Sequence, residues 1–570
     1  MNKIIKYILL SLFGIAFFAS CEKDLDLVPR DKITEVSYFK KEEHFKLFSN
    51  QFYEYLPSFT SLFGRDYITD VIATWSQNST SDGSYSPPVQ SGLWNGTYNH
   101  IRNVNYLITK VDEAEAELKE KVLLYKAEAQ FFRAYTYYNI YKDLGGVPIV
   151  TKPLNVDDAE LLMAPRNTRE EVINFILKDL DEAISILPAH DDISIKDIGR
   201  ISKEAALAFK ARVALFEGTW QKFRDKSGDK YLTQAIDAAK KVIEKNTFEL
   251  FDRRDVLGDK NYKHLFLLDV VKSNIAGLTK ADNKEYILCK KYDINIRPSG
   301  TVSVHNLPSP TRKFADLFLC TDGLPIEQSP LFKGRKTILS EYENRDPRMT
   351  NIMVKPFTKF WGNFPPEFIR DWDKPYEGGV EYTVNFGNET CTGYLRQKGI
   401  VEVKHPFSPD APVIRLAEVY LVYAEALYEK NGSISDDDLN LSINRLRNRA
   451  GLPALSNAFI TANNLNIRKE IRRERTIELF MEGHRFDDLR RWYIAHIEMP
   501  MSLTGVKYTG TQYETDKPWS DISFTLDAKG NVVKQVSTDR KFEEKHYLLP
   551  LPTHQLKLNK NLDQNPGWSK

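Results

Sequence analysis

The chain has no surplus of either charge, few cysteines and no apolar run of membrane length. Its 570 residues carry 79 Lys plus Arg against 78 Asp plus Glu. Nucleic-acid binding normally shows as a basic excess clustered on one face, so this balance speaks against nucleic acid as a partner. Four cysteines in a chain of this length rule out a disulfide scaffold, and the absence of any CxxC spacing removes the usual sign of a zinc site. Catalytic signatures are missing too: there is no HExxH, GxSxG, Walker A loop, GxGxxG or EF-hand loop. No cofactor is indicated. A glycosidase needs only two well-placed carboxyls and no linear motif, so a surface glycoside hydrolase stays open. What is abundant is aromatic: 28 Tyr, 32 Phe and 8 Trp, rings that either fill cores or offer flat faces to ligands. With 42% hydrophobic residues the chain can bury a large core, as one unit or as several domains of about 150 residues.

The first twenty residues read as an address. Lys3 and Lys6 precede an uncharged stretch from Tyr7 to Ser20, too short to span a bilayer comfortably and placed where a secretory signal belongs. Ala19 and Ser20 stand directly before Cys21, which resembles the lipobox of bacterial lipoproteins with Phe18 in place of the usual Leu or Val. Residues 1–20 are then a signal peptide, Cys21 is lipidated, and the anchor is lipid rather than helix. An ordinary signal peptide with a coincidental cysteine is the alternative. Cleavage leaves 550 residues with 77 basic and 78 acidic groups, and Cys289, Cys320 and Cys391 allow at most one disulfide.

Helical periodicity dominates the remainder. Ala127, Phe131, Ala134, Tyr138 and Tyr141 recur at steps of four and three between Lys121 and Tyr141, and Gly145, Gly146 and Pro148 stop the pattern. Residues 202–246 read as two antiparallel helices with Ser202 as N-cap and a polar loop around Gly228. A third pair is expected over Val413–Tyr428 and Asp436–Ala450. Such pairs, with small residues where helices meet, suggest tetratricopeptide-like units that need neighbours to bury their faces. The period is irregular, and residues 247–411 and 64–96 are rich in turn formers, so the predicted fold is mostly α. A helical scaffold, mainly 98–246 and 412–492, carries an irregular loop-rich lobe with short strands, and 493–570 forms a C-terminal segment of the same unit.

Seven blocks in order resemble the SusD/RagB family of nutrient-binding outer-membrane lipoproteins. They are AQFFRAYTYYNIYKDLGGVPIV at 129–150, GRISKEAALAFKARVALFEG at 199–218, NRDPRM at 344–349, VIRLAEVYLVYAEALYEKNG at 413–432, NRLRNRAGLP at 444–453, IRRERTIELFMEGHRFDDLRRW at 471–492 and YLLPLPTHQLKLNKNLDQNPGW at 547–568. The resemblance implies a non-catalytic protein that sits as a lid on a SusC-like TonB-dependent transporter at the cell surface and delivers captured oligosaccharide to it. Capture of a non-glycan nutrient such as peptide, or a passive lid, are the alternatives. Glu22, Asp24 and Asp26 after Cys21 resemble the export tag of surface lipoproteins in Bacteroidetes-type bacteria.

Two groups of residues invite a chemical reading. Glu474, Glu478 and Glu482, with Arg473, Arg475, Arg485, Arg490, Arg491 and His484 beside them, mimic paired catalytic carboxylates, but like charges four apart on a helix need cations from elsewhere, and the arginines nearby read as their partners in a polar network joining helices. Arg345, Asp346 and Arg348 read the same way. A sugar site instead needs a flat aromatic face flanked by groups that satisfy hydroxyls. In the family that site is built from the early loop and the long irregular segment, here about 64–92 and 285–375, without shared motifs. Position and chemistry select Trp75 and Trp361 as stacking rings, Asp70, Asn78 and Arg297 as hydroxyl partners, and Tyr85, Tyr292 and Trp372 as secondary contacts. Trp94, Trp220, Trp492 and Trp568 are expected to pack.

Overall fold

The computed structural model describes residues 38–269, 274, 276–299, 308–361, 380–381, 390–400, 408–518 and 524–569. Residues 1–20, Cys21 and Trp372 lie outside them. Eleven helices are used below: α1 Glu42–Asn50, α2 Phe59–Asp66, α3 Gly92–Asp112, α4 Ala116–Leu144, α5 Arg169–Ile186, α6 Lys203–Asp225, α7 Asp229–Lys245, α8 Leu416–Asn431, α9 Ile443–Arg449, α10 Ile467–Glu478 and α11 Arg485–Arg491. Helix α4 packs on α3 and α5, α6 on α7, and α7 on α8, which in turn meets α10. The stripe expected along α4 is real but understated: almost every side chain from Ala127 to Tyr141 is buried, so the helix is enclosed on all sides.

The pair α6 and α7 forms as the sequence predicts. Ser202 caps α6 by accepting a hydrogen bond from the Ala205 amide. The turn depends on Gly228, whose φ is 100° and whose missing Cβ leaves room for the Gly218 carbonyl; a Cβ there would lie 2.3 Å from that oxygen. Gly228→Ala is therefore expected to lower stability by about 1–3 kcal/mol. The readout is a lower thermal midpoint; an unchanged midpoint would mean that the helices do not approach as closely as described.

The third pair departs from expectation at two points. Val413 belongs to strand β6, Ala411–Arg415, rather than to a helix, because this stretch pairs antiparallel with β2, Tyr286–Lys290, and is fully buried. The second helix breaks at Ser442, whose hydroxyl donates to the Asp438 carbonyl at 2.5 Å while its backbone leaves the helical region. Residues 436–441 and α9 are consequently separate segments.

The strands are short. Strand β1, Ile72–Ala73, pairs antiparallel with β3, Ser309–Pro310; β4, Lys359–Trp361, pairs with β5, Val380–Glu381. The C-terminal segment contributes a three-stranded sheet in the order β7 (Leu503–Lys507), β9 (Asn531–Gln535), β8 (Thr525–Leu526). One large apolar cluster fills the helical scaffold, and a second, including Phe314, Phe318, Met349 and Phe480, fills the irregular lobe.

A buried ionic network fastens the two. Arg348 of the lobe binds Asp346 at 2.8 Å, Glu474 at 2.5 Å and Glu478 at 2.9 Å. Arg415, at the end of β6, binds Glu478 at 2.6 Å, Glu482 at 2.7 Å and Glu285 at 2.8 Å. Arg449 joins Glu285 and Glu478, and Lys398 reaches Glu482 at 2.7 Å. The charged block thus reads as a structural network. Burial disfavours the charge on Glu478, yet Arg449, Arg415 and Arg348 together hold its carboxyl well below the usual range.

Candidate functional site

Trp75 is the one large ring of the early loop presented to solvent, with 36% of its surface exposed. Its position follows from the strand before it. Ala73 pairs with Ser309, and the Cys391 thiol lies 3.7 Å from the Ala73 carbonyl, so the base of the loop is fixed in the interior. The Thr74 hydroxyl donates to the Ser76 carbonyl at 2.7 Å and turns the chain outward. Lys534, on β9, donates from Nζ to the Trp75 carbonyl at 3.0 Å and stands 5.5 Å from the indole centroid. The result is a part-exposed indole with a cation over its ring. Sequence reading missed Lys534, which lies 459 residues away and carries no motif.

The other selected residues divide by fate. Asp70 is a correction: it is 2% exposed and both its oxygens are committed, at 2.7 Å to Arg485 and 2.6 Å to Lys313. Burial opposes its charge, but these two cations hold the carboxyl far below its ordinary value, so it anchors the loop and has no free face for a hydroxyl. Asn78 caps the turn Ser79–Asp82, its Oδ1 accepting from the Thr80 amide at 2.9 Å, which leaves the amide NH2 group for a ligand. Tyr85 is half-buried edge-on against Trp568 and serves as a packing anchor. Trp361 stands in β4 with its backbone paired to Val380. Trp94, Trp220 and Trp492 are buried, and Trp568 is half-buried with its indole N–H donating to the Lys545 and Leu548 carbonyls.

Tyr292 and Arg297 sit elsewhere. They lie on a small hairpin closed by the Asp293 and Arg297 backbones, where Arg297 covers the Tyr292 ring at 5.7 Å and pairs with Glu54 of the segment after α1. Among the described residues no hydrogen bond or ring contact joins them to Trp75. Arg297 also borders a cavity of about 510 Å³ that runs between α2, α4, α6 and the start of α11.

Acid–base chemistry has no foothold in the charged block. Glu474, Glu478 and Glu482 are buried against arginine and lysine. His484 is partly buried, with Nδ1 at 3.5 Å from Arg475 Nη2; desolvation, then Arg212 and Arg475, keep its imidazole neutral. Among the described residues no cluster of His, Cys, Asp or Glu could hold a metal ion, and Cys289, Cys320 and Cys391 are free thiols. Burial pushes the Cys289 thiol up to about 12, which keeps it unreactive.

Tetratricopeptide-like helix pairs with an irregular, strand-bearing lobe and an exposed ring on the early loop define a scaffold of the SusD-like type. The chain belongs to the SusD family, whose model matches residues 278–568; a second model, described as starch-binding associating with outer membrane, matches residues 34–215. A SusD-like protein of Bacteroides ovatus is 25% identical over 507 residues, covering 86% of this chain and 82% of the relative. The starch-binding protein SusD of Bacteroides thetaiotaomicron is 23% identical over 510 residues, covering 85% and 80%. A solved SusD-like protein of Bacteroides fragilis shares the fold with a TM-score of 0.72 at 23% identity, over 95% of this chain and all of that one.

Proposed function

We propose that the protein captures a glycan at the cell surface and passes it to a SusC-like TonB-dependent transporter, held to the outer membrane by lipid on Cys21 and performing no catalysis. The observation that carries the reading is Trp75: a part-exposed indole held in solvent by a loop whose base is pinned in the core, with Lys534 at its ring and Asn78 three residues on in the same loop. Such a face takes the apolar side of a sugar ring, and the flanking donors take hydroxyls or an acidic substituent. Membership of a family whose relatives include a starch-binding protein supports the same reading. The burial of the charged block in ion pairs supports the absence of catalysis.

Affinity electrophoresis on a panel of polysaccharides tests it. The protein is expected to be retarded by at least one glycan, and Trp75→Ala, still folded by circular dichroism, is expected to bind at least about tenfold more weakly, because truncating a central aromatic anchor costs about 2 kcal/mol or more. Release of reducing ends would overturn the non-catalytic part. No retention on any glycan would overturn the ligand class and favour peptide capture or a passive lid.

A further inference from the structure

The cation at Trp75 narrows the ligand beyond a sugar ring. Lys534 is half-buried, donates one hydrogen bond from Nζ to the Trp75 carbonyl at 3.0 Å and stands 5.5 Å from the indole centroid. An ammonium has three donors, so two are left over. Among the described residues no carboxylate pairs with Lys534, whereas Lys313, the other lysine that reaches this loop, is shared by Asp70 and Glu498. The charge on Lys534 is thus left for a partner outside the chain.

The loop itself supplies nothing to balance that charge. Asp66 is buried and accepts the Gly483 and Arg485 amides, and Asp70 is drawn inward to Arg485 and Lys313. Asp82, the remaining carboxylate of the loop, accepts the Ser84 amide at the end of its turn. The Asn78 Oδ1 is taken by the Thr80 amide, so the hydrogen bonds it still offers are those of its NH2 group. Ser76 and Gln77 are exposed and can meet sugar hydroxyls, which both donate and accept. A carboxylate or a sulfate ester only accepts. The spare donors of Lys534 are its complement, and a bond between two charged groups is about twice as strong as a neutral one.

Building on glycan capture at Trp75, we infer that the captured glycan is acidic: a uronate carboxylate or a sulfate ester, carried by the sugar that meets the indole, accepts from Lys534. The ammonium lies close enough to the ring for one sugar to make both contacts. Trp75 then supplies affinity for the sugar body, and Lys534 selects its charge.

Affinity electrophoresis of the full chain tests this with matched polymers: polygalacturonate and glucuronoxylan beside their carboxyl-reduced forms, and a sulfated galactan beside its desulfated form. At least one acidic polymer is expected to bind about tenfold or more tightly than its neutral match, the worth of one charge-assisted hydrogen bond. Selectivity lost on carboxyl reduction assigns a uronate, and selectivity lost on desulfation assigns a sulfate ester. Lys534→Met should bring the ratio of acidic to neutral affinity to about one, and Lys534→Arg should restore it. Raising sodium chloride to about 0.5 M should shrink the ratio in the parent protein, because a half-exposed ion pair is screened. Neutral forms bound as tightly as acidic ones, or a ratio unchanged in Lys534→Met, would overturn the acidic ligand while leaving glycan capture in place. Retention by no polymer, neutral or acidic, would overturn both.

Discussion

Glu478→Ala is expected to lower the free energy of unfolding by about 3–5 kcal/mol, the cost of removing one partner from a fully buried ion pair. Three arginines would be left facing the gap: Arg348 at 2.9 Å, Arg415 at 2.6 Å and Arg449. Glu478 is 0% exposed, so water cannot replace the lost acceptor without opening the structure. Arg415 and Arg348 retain other carboxylates, which keeps the loss below that of three isolated charges. Urea unfolding followed by tryptophan fluorescence measures it. Lys121→Ala, which removes a fully solvated pair with Glu117, should leave the midpoint in place. If the two variants unfold alike, the network contributes nothing specific.

A second large effect is expected in acid. For Glu478, Glu482 and Asp487, burial opposes ionisation, but the cations around each outweigh it and lower the folded-state pKa. Glu425 is likewise buried, and Arg491 with Arg475 brings it down to about 2. A group whose pKa is lower in the folded state stabilises fully above its unfolded value and loses that contribution as pH falls through the folded one. The loss therefore begins near pH 4.5 and runs to about pH 2, with Glu425 alone worth about 3 kcal/mol. Asp66 has the opposite sign: burial raises it to about 7 despite amide donors from Gly483 and Arg485, so its contribution is full below about pH 4 and is lost as pH rises through 7. The urea midpoint should accordingly hold or rise slightly from pH 7 to 4.5 and then fall steeply. A midpoint independent of pH between 4.5 and 2 would contradict the assignment of these carboxylates as ionised in the native state.

The helical scaffold was legible because its signals are local. Stripes at steps of three and four, the Ser202 cap and Gly228 each act within one helix or one turn. The charged block was legible as a network but not in its pairing: the arginines beside it in sequence bind other acids, such as Asp488 and Asp70, and Arg348, Arg415 and Arg449 from distant segments hold the carboxylates. Val413 was misread because a short apolar run before a helix carries no mark of the strand it will join, and only β2 decides the matter. Asp70 and Trp75 show the same limit at the site. Five residues apart in one polar loop, they look alike in sequence; one is drawn inward by Arg485 and the other left outside. Lys534 could not be found at all, since its relation to Trp75 exists only once β9 has formed.

The ionic network also bears on when the molecule can assemble. Its partners are far apart along the chain: 130 residues separate Arg348 from Glu478 and 164 separate Glu285 from Arg449. Closing loops of that length is slow, and the network is complete only when the last carboxylate arrives. A growing chain that has not yet reached Glu474 holds Arg348 with Asp346 alone, Arg415 with Glu285 alone and Lys398 without Glu482. Burying them early is prohibitive, so the lobe should stay undocked until the final helices emerge. A latch completed only by the C-terminal fifth of the chain thus delays compaction by construction.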